Sequence, residues 1–347
     1  MTRTGLMLAS VGAAVAAILL SLEPARSADT APLYKITKTV PLGAPDRWDY
    51  LTYDASSHRI YATHSTSIAV IDARSGAIVG KVPVPGANGV VVIPSIGKGY
   101  AGSRDKKAVL VFDLATFRIT KELPADEDTD GVVYDPVSKH VFVMDGDPNS
   151  ATVVDTATDT VTQLPLGGKP EFAAVDGAGK LFINITDKRE IARVDTKTGK
   201  VDARWPISDC AGPHGLAVDP VGKRLFSTCT NSKMMVIDAT DGRIVSEVAI
   251  GKGSDAAAFD PKRKLAFSSN GEGTLSVVRA DAGGKYVSQG EITTQPLART
   301  MTVDPDSGRI FMLAGERIEV DAKATDPRKR YSVRPGSASL LFLDPTS

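Results

Sequence analysis

Seven polar side chains recur at one offset along the chain. Asp49, Asn88, Asp130, Glu171, His214, Asp255 and Arg299 each stand five residues before the marker of a repeated unit: Asp54, Ile93, Asp135, Asp176, Asp219, Asp260 and Asp304. If the units superpose around an axis, these side chains converge on one rim. Four carboxylates, an amide and an imidazole crowded there repel or compete unless something positive sits among them. A divalent cation answers that need: calcium or magnesium takes carboxylate and carbonyl oxygens, whereas zinc would draw on the histidine. The expected metal ligands are Asp49, Asp130, Glu171 and Asp255. Arg299 could instead neutralise part of the charge or clamp an anionic ligand, with Asn88, Trp48 and Tyr50 as further ligand contacts and the two aromatics flooring a pocket. His214 is the candidate proton carrier. The plain alternative is a solvated polar funnel, in which His214 is a hydrogen-bonded structural residue.

The repeat that positions these residues is an apolar strand ending in Asp, a short polar turn, and a strand that opens aliphatic-aromatic. It is read at Leu51-Thr52-Tyr53-Asp54 with Arg59-Ile60-Tyr61, and at Val132-Val133-Tyr134-Asp135 with His140-Val141-Phe142. Further copies lie at Ala174-Val175-Asp176, Ala217-Val218-Asp219, Ala258-Phe259-Asp260 and Thr302-Val303-Asp304, and a degenerate one at Val91-Val92-Ile93-Pro94 completes seven. Each unit continues with a third strand, such as Ala69-Val70-Ile71-Asp72, then a turn and a fourth strand, such as Ile244 to Val248. Four short antiparallel strands at a period near 40 residues make a propeller blade. The last unit stops at a third strand, Leu340 to Asp344, and Lys35 to Leu42 reads like the missing fourth. Pairing the two ends closes the ring and removes two open sheet edges. The expected fold is an all-β, seven-bladed propeller of four-stranded antiparallel blades.

On these residues the chain resembles the YVTN-repeat, YncE-like family of bacterial seven-bladed propellers. The matching core is strand-Asp-Pro-x-Gly-Lys/Arg-Leu-Phe with a Val-Ile-Asp third strand, clearest from Gly215 to Asp238. The resemblance covers essentially all of the chain after its leader and speaks for fold. For function it leaves binding modules, accessory subunits and lactone-acting enzymes open. In residue types alone the rim resembles the central metal sites of propeller lactonases, where Asn, Asp, Glu and His surround Ca²⁺ or Zn²⁺; the repeat sequences of those enzymes differ from these.

Residues 1–27 read as a signal peptide: Arg3, an apolar run from Gly5 to Ser21, then Glu23-Pro24-Ala25-Arg26-Ser27 with a cut after Ser27. An uncleaved anchor helix is the alternative. Residues 28–347 then form one propeller domain in the periplasm or outside the cell, with no transmembrane segment, expected to be a monomer. Lys plus Arg and Asp plus Glu each total 41, and removing Arg3, Arg26 and Glu23 leaves 39 against 40. That balance gives no broad field for phosphate backbones, so nucleic acid is a disfavoured partner.

Cys210 and Cys229 are the only cysteines, and an oxidising compartment makes a disulfide the first reading. A soft-metal site with His214 and a free thiol pair are the alternatives. Gly315 to Ala338 inserts a long loop in the last blade, with Arg317, Lys323, Arg328, Lys329, Arg330 and Arg334. Strand direction puts it on the face of the rim, as a lid, a source of cations or a solvated loop. No nucleophile elbow, phosphate loop or zinc-protease helix is present. The expected function is an extracytoplasmic binding module for a small polar ligand or a partner protein. The alternative is a metal-dependent hydrolase or lyase acting on a lactone-like substrate at the same mouth.

Overall fold

The computed structural model describes residues 1–2, 33–44, 48–325 and 330–346. The chain divides into Met1–Ala31 and Pro32–Ser347. The expected signal segment lies outside the described residues apart from Met1 and Thr2.

Among the described residues the unit Pro32–Ser347 holds seven four-stranded antiparallel sheets and one two-stranded sheet. In blade 1 the strands Leu51–Asp54, Arg59–His64, Ser67–Asp72 and Ile78–Val82 follow one another outward. The innermost strands of blades 2 to 7 are Ala87–Ile93, Thr129–Asp135, Pro170–Val175, Pro213–Asp219, Ser254–Asp260 and Thr300–Val303. Each lies against the innermost strand of the next blade, and the last lies against the first, which makes the ring.

Second and third strands are buried almost throughout because both faces are covered by neighbouring blades. Each second strand contributes one aromatic to this packing: Tyr61, Tyr100, Phe142, Phe182, Phe226, Phe267 and Phe311, none more than 1% exposed. Burying one such side chain stabilises by roughly 1.5–3 kcal/mol, so the aliphatic-aromatic signature is the repeat's main packing element. Outermost strands are wet on one side, and Ile78–Val82 has a single buried residue.

The repeat Asp has a local reason. Its carboxylate accepts backbone N–H groups two and three residues on, which locks the turn between the first two strands. Asp219 accepts from Val221 and Gly222, and Asp260 from Lys262 and Arg263. Blade 2, with Ile93-Pro94 there, turns instead through a short 3₁₀ helix, Pro94–Ile96, that ends on Gly97 at φ 66°. Proline supplies the fixed φ and glycine the left-handed exit.

The ring is closed by Tyr34–Pro41, which pairs antiparallel with Ser339–Pro345 as the outermost strand of blade 7. Thr37 donates its hydroxyl to Asp344, whose carboxylate also takes a two-pronged contact from Arg309. Tyr34 is buried with its ring edge-on to Phe267 at 5.3 Å. Cys210 and Cys229 form a disulfide with Cα atoms 5.2 Å apart, both side chains fully buried. Their sulfurs are thereby removed from any metal site with His214.

Candidate functional site

In blades 2 to 6 the pairing of the first two strands skips a residue pair that begins with the rim residue: Asn88-Gly89, Asp130-Gly131, Glu171-Phe172, His214-Gly215 and Asp255-Ala256. Such a bulge re-aims a side chain out of the ladder, here into the channel mouth. Asp49 and Arg299 reach it from the approach to their innermost strands.

The glycines in these pairs permit close approach of neighbouring blades. A Cβ on Gly89 would lie 2.2 Å from the Asp130 carbonyl oxygen, and one on Gly215 would lie 2.6 Å from that of Asp255. The rim backbone is therefore shared between adjacent blades. Gly215→Ala should cost about 1–3 kcal/mol of stability through this clash, read by thermal melting. Unchanged melting would mean that the rim backbone yields freely.

The rim charges sort into two groups. Glu171 Oε1 lies 3.3 Å from His214 Nδ1, His214 Nδ1 lies 3.6 Å from Asp255 Oδ1, and Arg299 Nε lies 3.4 Å from Asp255 Oδ2. These four alternate acid, base, acid, base around one side of the mouth. Burial alone would lower the His214 pKa, but its contact with Glu171 and the charges of Glu171 and Asp255 raise it. Burial raises Asp255 despite the opposing charges of Arg299 and His214.

Asp49 and Asp130 form the other group and have no ion-pair partner among the described residues. Burial, followed by the charge of Asp255, pushes Asp49 up to about 6. Burial, followed by the charges of Asp49 and Glu171, holds Asp130 well above the usual carboxylate range. Arg299 and then Arg104 lower Asp49, and Arg104 lowers Asp130, without offsetting burial; Arg299 is already paired with Asp255, and the Arg104 Nε sits 3.2 Å from Asp128.

Tyr50 lies among these carboxylates. Its ring crosses from blade 1 to Phe172 of blade 4, centroids 4.7 Å apart, and its hydroxyl is buried without a hydrogen-bond partner. Burial and the surrounding carboxylates hold its pKa well above 10, so the hydroxyl is a neutral donor and acceptor at the base of the mouth.

The remaining expected residues are placed differently. Asn88 is buried, and its amide N–H donates to the Thr129 carbonyl at 2.8 Å, tying blade 2 to blade 3. Trp48 is 6% exposed and packs in the core between blades 7 and 1, beneath Gly315 of the insertion. The insertion forms a hairpin, Arg317–Glu319 with Tyr331–Val333. Arg330 and Arg334 pair with Glu319 and Glu316, and Arg317 lies over the Tyr331 ring at 4.8 Å, so these cations serve the hairpin itself. Arg328 and Lys329 lie outside the described residues.

Among the described residues no three Asp, Glu, His or Cys side chains stand together as a metal-binding group. Glu171 and Asp255 face His214 and Arg299, so the four rim carboxylates do not form a preassembled cage. The residues that sequence reasoning missed are Arg104, which enters from a second-strand end, and the glycines beside the rim positions. The spacing of Gly89, Gly131 and Gly215 directly after rim residues was the available signal. A separate cavity of about 440 Å³, lined by Tyr53, His58, Arg74, Asp304, Arg309 and Phe311 among others, lies at the opposite ends of the innermost strands and holds no rim residue.

No family model matches the chain. It is similar to the uncharacterised protein YncE of Salmonella typhimurium, 24% identical over 215 residues, 60% of this chain and 57% of that protein. The YncE of Salmonella typhi matches to the same extent, so the similarity spans a little over half of these relatives' length. Among solved structures, a chain of the Kuenenia stuttgartiensis hydrazine synthase superposes with a TM-score of 0.68 at 15% identity, over 85% of this chain and 96% of that one. At that identity the likeness speaks for the fold alone. By sheet order, ring contacts and these likenesses, the chain is a seven-bladed β-propeller with weak homology to YncE.

Proposed function

We propose that the protein is an extracytoplasmic binding module whose channel mouth receives the positively charged group of a small polar ligand. The observation that carries this reading is the imbalance at the rim. Glu171 and Asp255 face His214 and Arg299, while Asp49 and Asp130 are half-buried, mutually repelling and short of a cation. A ligand cation placed between them would relieve their repulsion and favour their ionised forms, with the Tyr50 hydroxyl available to hydrogen-bond the same ligand. A disulfide fits an exported protein, and the periplasm is the compartment we infer.

The position of His214 between Glu171 and Asp255 favours a second reading. A divalent cation held by Asp49 and Asp130 could polarise a lactone carbonyl, with His214 carrying the proton. That activity would be chelator-sensitive and lost in His214→Gln.

The test is a thermal-shift panel of guanidinium, small alkylamines, arginine amide, a basic peptide, the chlorides of Ca²⁺, Mg²⁺ and Zn²⁺, and the sodium salts of acetate, citrate and phosphate. A ligand present at 100 times its Kd stabilises by about 2.7 kcal/mol, which is readily seen. The small organic cations should stabilise the wild type and leave Asp49→Asn/Asp130→Asn unmoved. Stabilisation by anions alone, lost in Arg299→Ala, would overturn the proposal; a response confined to metal ions or to the peptide would transfer the site to those partners.

A further inference from the structure

The junction of blades 2 and 3 holds carboxylates that the fold does not require, and blade 6 shows what the fold does require there. Asp145 ends the second strand of blade 3, His140–Asp145, at the position that Asn270 occupies in Leu265–Asn270 of blade 6: each pairs with the first residue of its innermost strand, Thr129 and Ser254. The surrounding network is the same in both blades. In blade 6 the Gly251 N–H donates to the Ser276 hydroxyl, which donates to Glu291 and accepts from the Asn270 amide. In blade 3 the Asp126 N–H and the Gln163 amide donate to the Thr152 hydroxyl, which donates to Asp145 at 2.7 Å.

The difference lies in what is left over. Asn270 is fully satisfied: its amide also donates to Thr274, and its oxygen accepts from Ser268. Asp145 is 0% exposed, yet its Oδ1 has no hydrogen-bond partner, because Val143 stands where Ser268 would donate. A buried carboxylate oxygen without a partner costs on the order of kcal/mol. Moreover, where blade 6 has Gly251 and Gly253, blade 3 has Asp126 and Asp128. Asp128 is paired with Arg104 at 3.2 Å and Lys169 at 3.6 Å. Asp126 and Asp145 have no ion-pair partner among the described residues, and Ser150, at the position of Thr274, turns its hydroxyl to Asp126 at 3.4 Å. Burial and the charges of Asp126 and Asp128 act together to disfavour the ionised form of Asp145.

We propose that this junction is a binding site for a hard divalent cation of the calcium and magnesium class, ligated by the carboxylates of Asp145 and Asp126 with the Ser150 hydroxyl, water completing the shell. The donor set is all oxygen, which disfavours zinc and copper, and two carboxylates with water suffice for cations of this class. The site is separate from the channel mouth and does not rest on the function proposed for it. It would pin blade 2 to blade 3 from the loop that joins them.

The test uses the full chain, stripped with chelator, in 0.15 M salt. Calcium and magnesium chlorides are titrated while melting and binding heat are followed. Wild type should melt higher with at least one of the two ions, and Asp126→Ala should weaken that ion's binding by about tenfold or more. Val143→Ser/Asp145→Asn, which copies blade 6, should fold, melt at or above wild type without added ion, and lose the response. Asp49→Asn should retain it. Wild type indifferent to both ions would overturn the proposal, as would an undiminished response in the blade-6 copy or in Asp126→Ala. A response lost in Asp49→Asn but kept in Asp126→Ala would move the site to the mouth and overturn it equally.

Discussion

Asp49→Asn/Asp130→Asn is expected to melt higher than wild type at pH 7 and identically to it near pH 4. A carboxyl whose folded pKa is raised contributes stability that is full below its unfolded value and is lost as pH rises through the folded value. For Asp49 that window runs from 3.8 to about 6, and for Asp130 it likewise opens at 3.8 and extends well above the usual carboxylate range. Asparagine keeps the size and removes the charge, so the variant escapes the loss. A shift of about two units corresponds to roughly 3 kcal/mol, and solvent at the mouth reduces that, so a gain on the order of 1–3 kcal/mol, or a few °C, is the expected size. Melting of both proteins from pH 4 to 8 checks it, because only the difference between them isolates these two groups. The same substitutions remove the proposed ligand site, so stability and binding should move in opposite directions, as they do where a site holds unfavourable charge for function. A variant less stable than wild type at pH 7 would show that the two carboxylates are already compensated.

Removing residues 33–41 is expected to have the largest effect on folding. It strips Tyr34–Pro41 from the edge of blade 7, exposes the apolar strand Ser339–Pro345 along its length, and vacates the position of Tyr34 beside Phe267. An unpaired apolar edge of this kind recruits other chains, and the ring loses the contact that joins its two ends. The shortened chain should aggregate or melt more than ~10 °C lower, since at a few °C per kcal/mol that corresponds to several kcal/mol. A synthetic peptide spanning residues 33–42 should restore part of the loss by adding back as a strand. Light scattering and melting with and without peptide measure both. Unaltered melting of a monomeric shortened chain would show that closure by this strand is dispensable.

The ring was legible in the sequence because each blade repeats its own physical requirements. The Asp of the first turn caps a bend, the aromatic of the second strand fills the space between blades, and both recur at the period of the blade. Even the degenerate second copy kept its register, since Pro94 and Gly97 make the turn that Asp makes elsewhere. The fixed offset also placed Asp49, Asp130, Glu171, His214, Asp255 and Arg299 at one mouth.

What the offset does not contain is pairing. Whether Glu171 faces a metal or His214 depends on distances of a few tenths of an ångström, set by bulges and by glycines such as Gly215 that admit the next blade's carbonyl. Asn88 shares the offset, yet its amide N–H is taken by Thr129. Trp48 lies next to a rim residue but is drawn into the core between blades 7 and 1. Arg104 escaped the offset altogether because it enters from the end of another strand. The blade-3 carboxylates were invisible to a search for one repeated position, because Asp145 stands out only against the amide that its counterpart carries.

The reading of the mouth rests on Asp49 and Asp130 staying protonated well above the usual carboxylate range because burial and the neighbouring carboxylates outweigh the charges of Arg299 and Arg104. Carboxyl-carbon NMR of protein labelled at aspartate, titrated with pH and assigned through Asp49→Asn and Asp130→Asn, reads this directly. Asp49 is expected to titrate near 6 and Asp130 well above the usual carboxylate range, and a bound cationic ligand should draw both down. Both signals titrating near 4 in the free protein would contradict it.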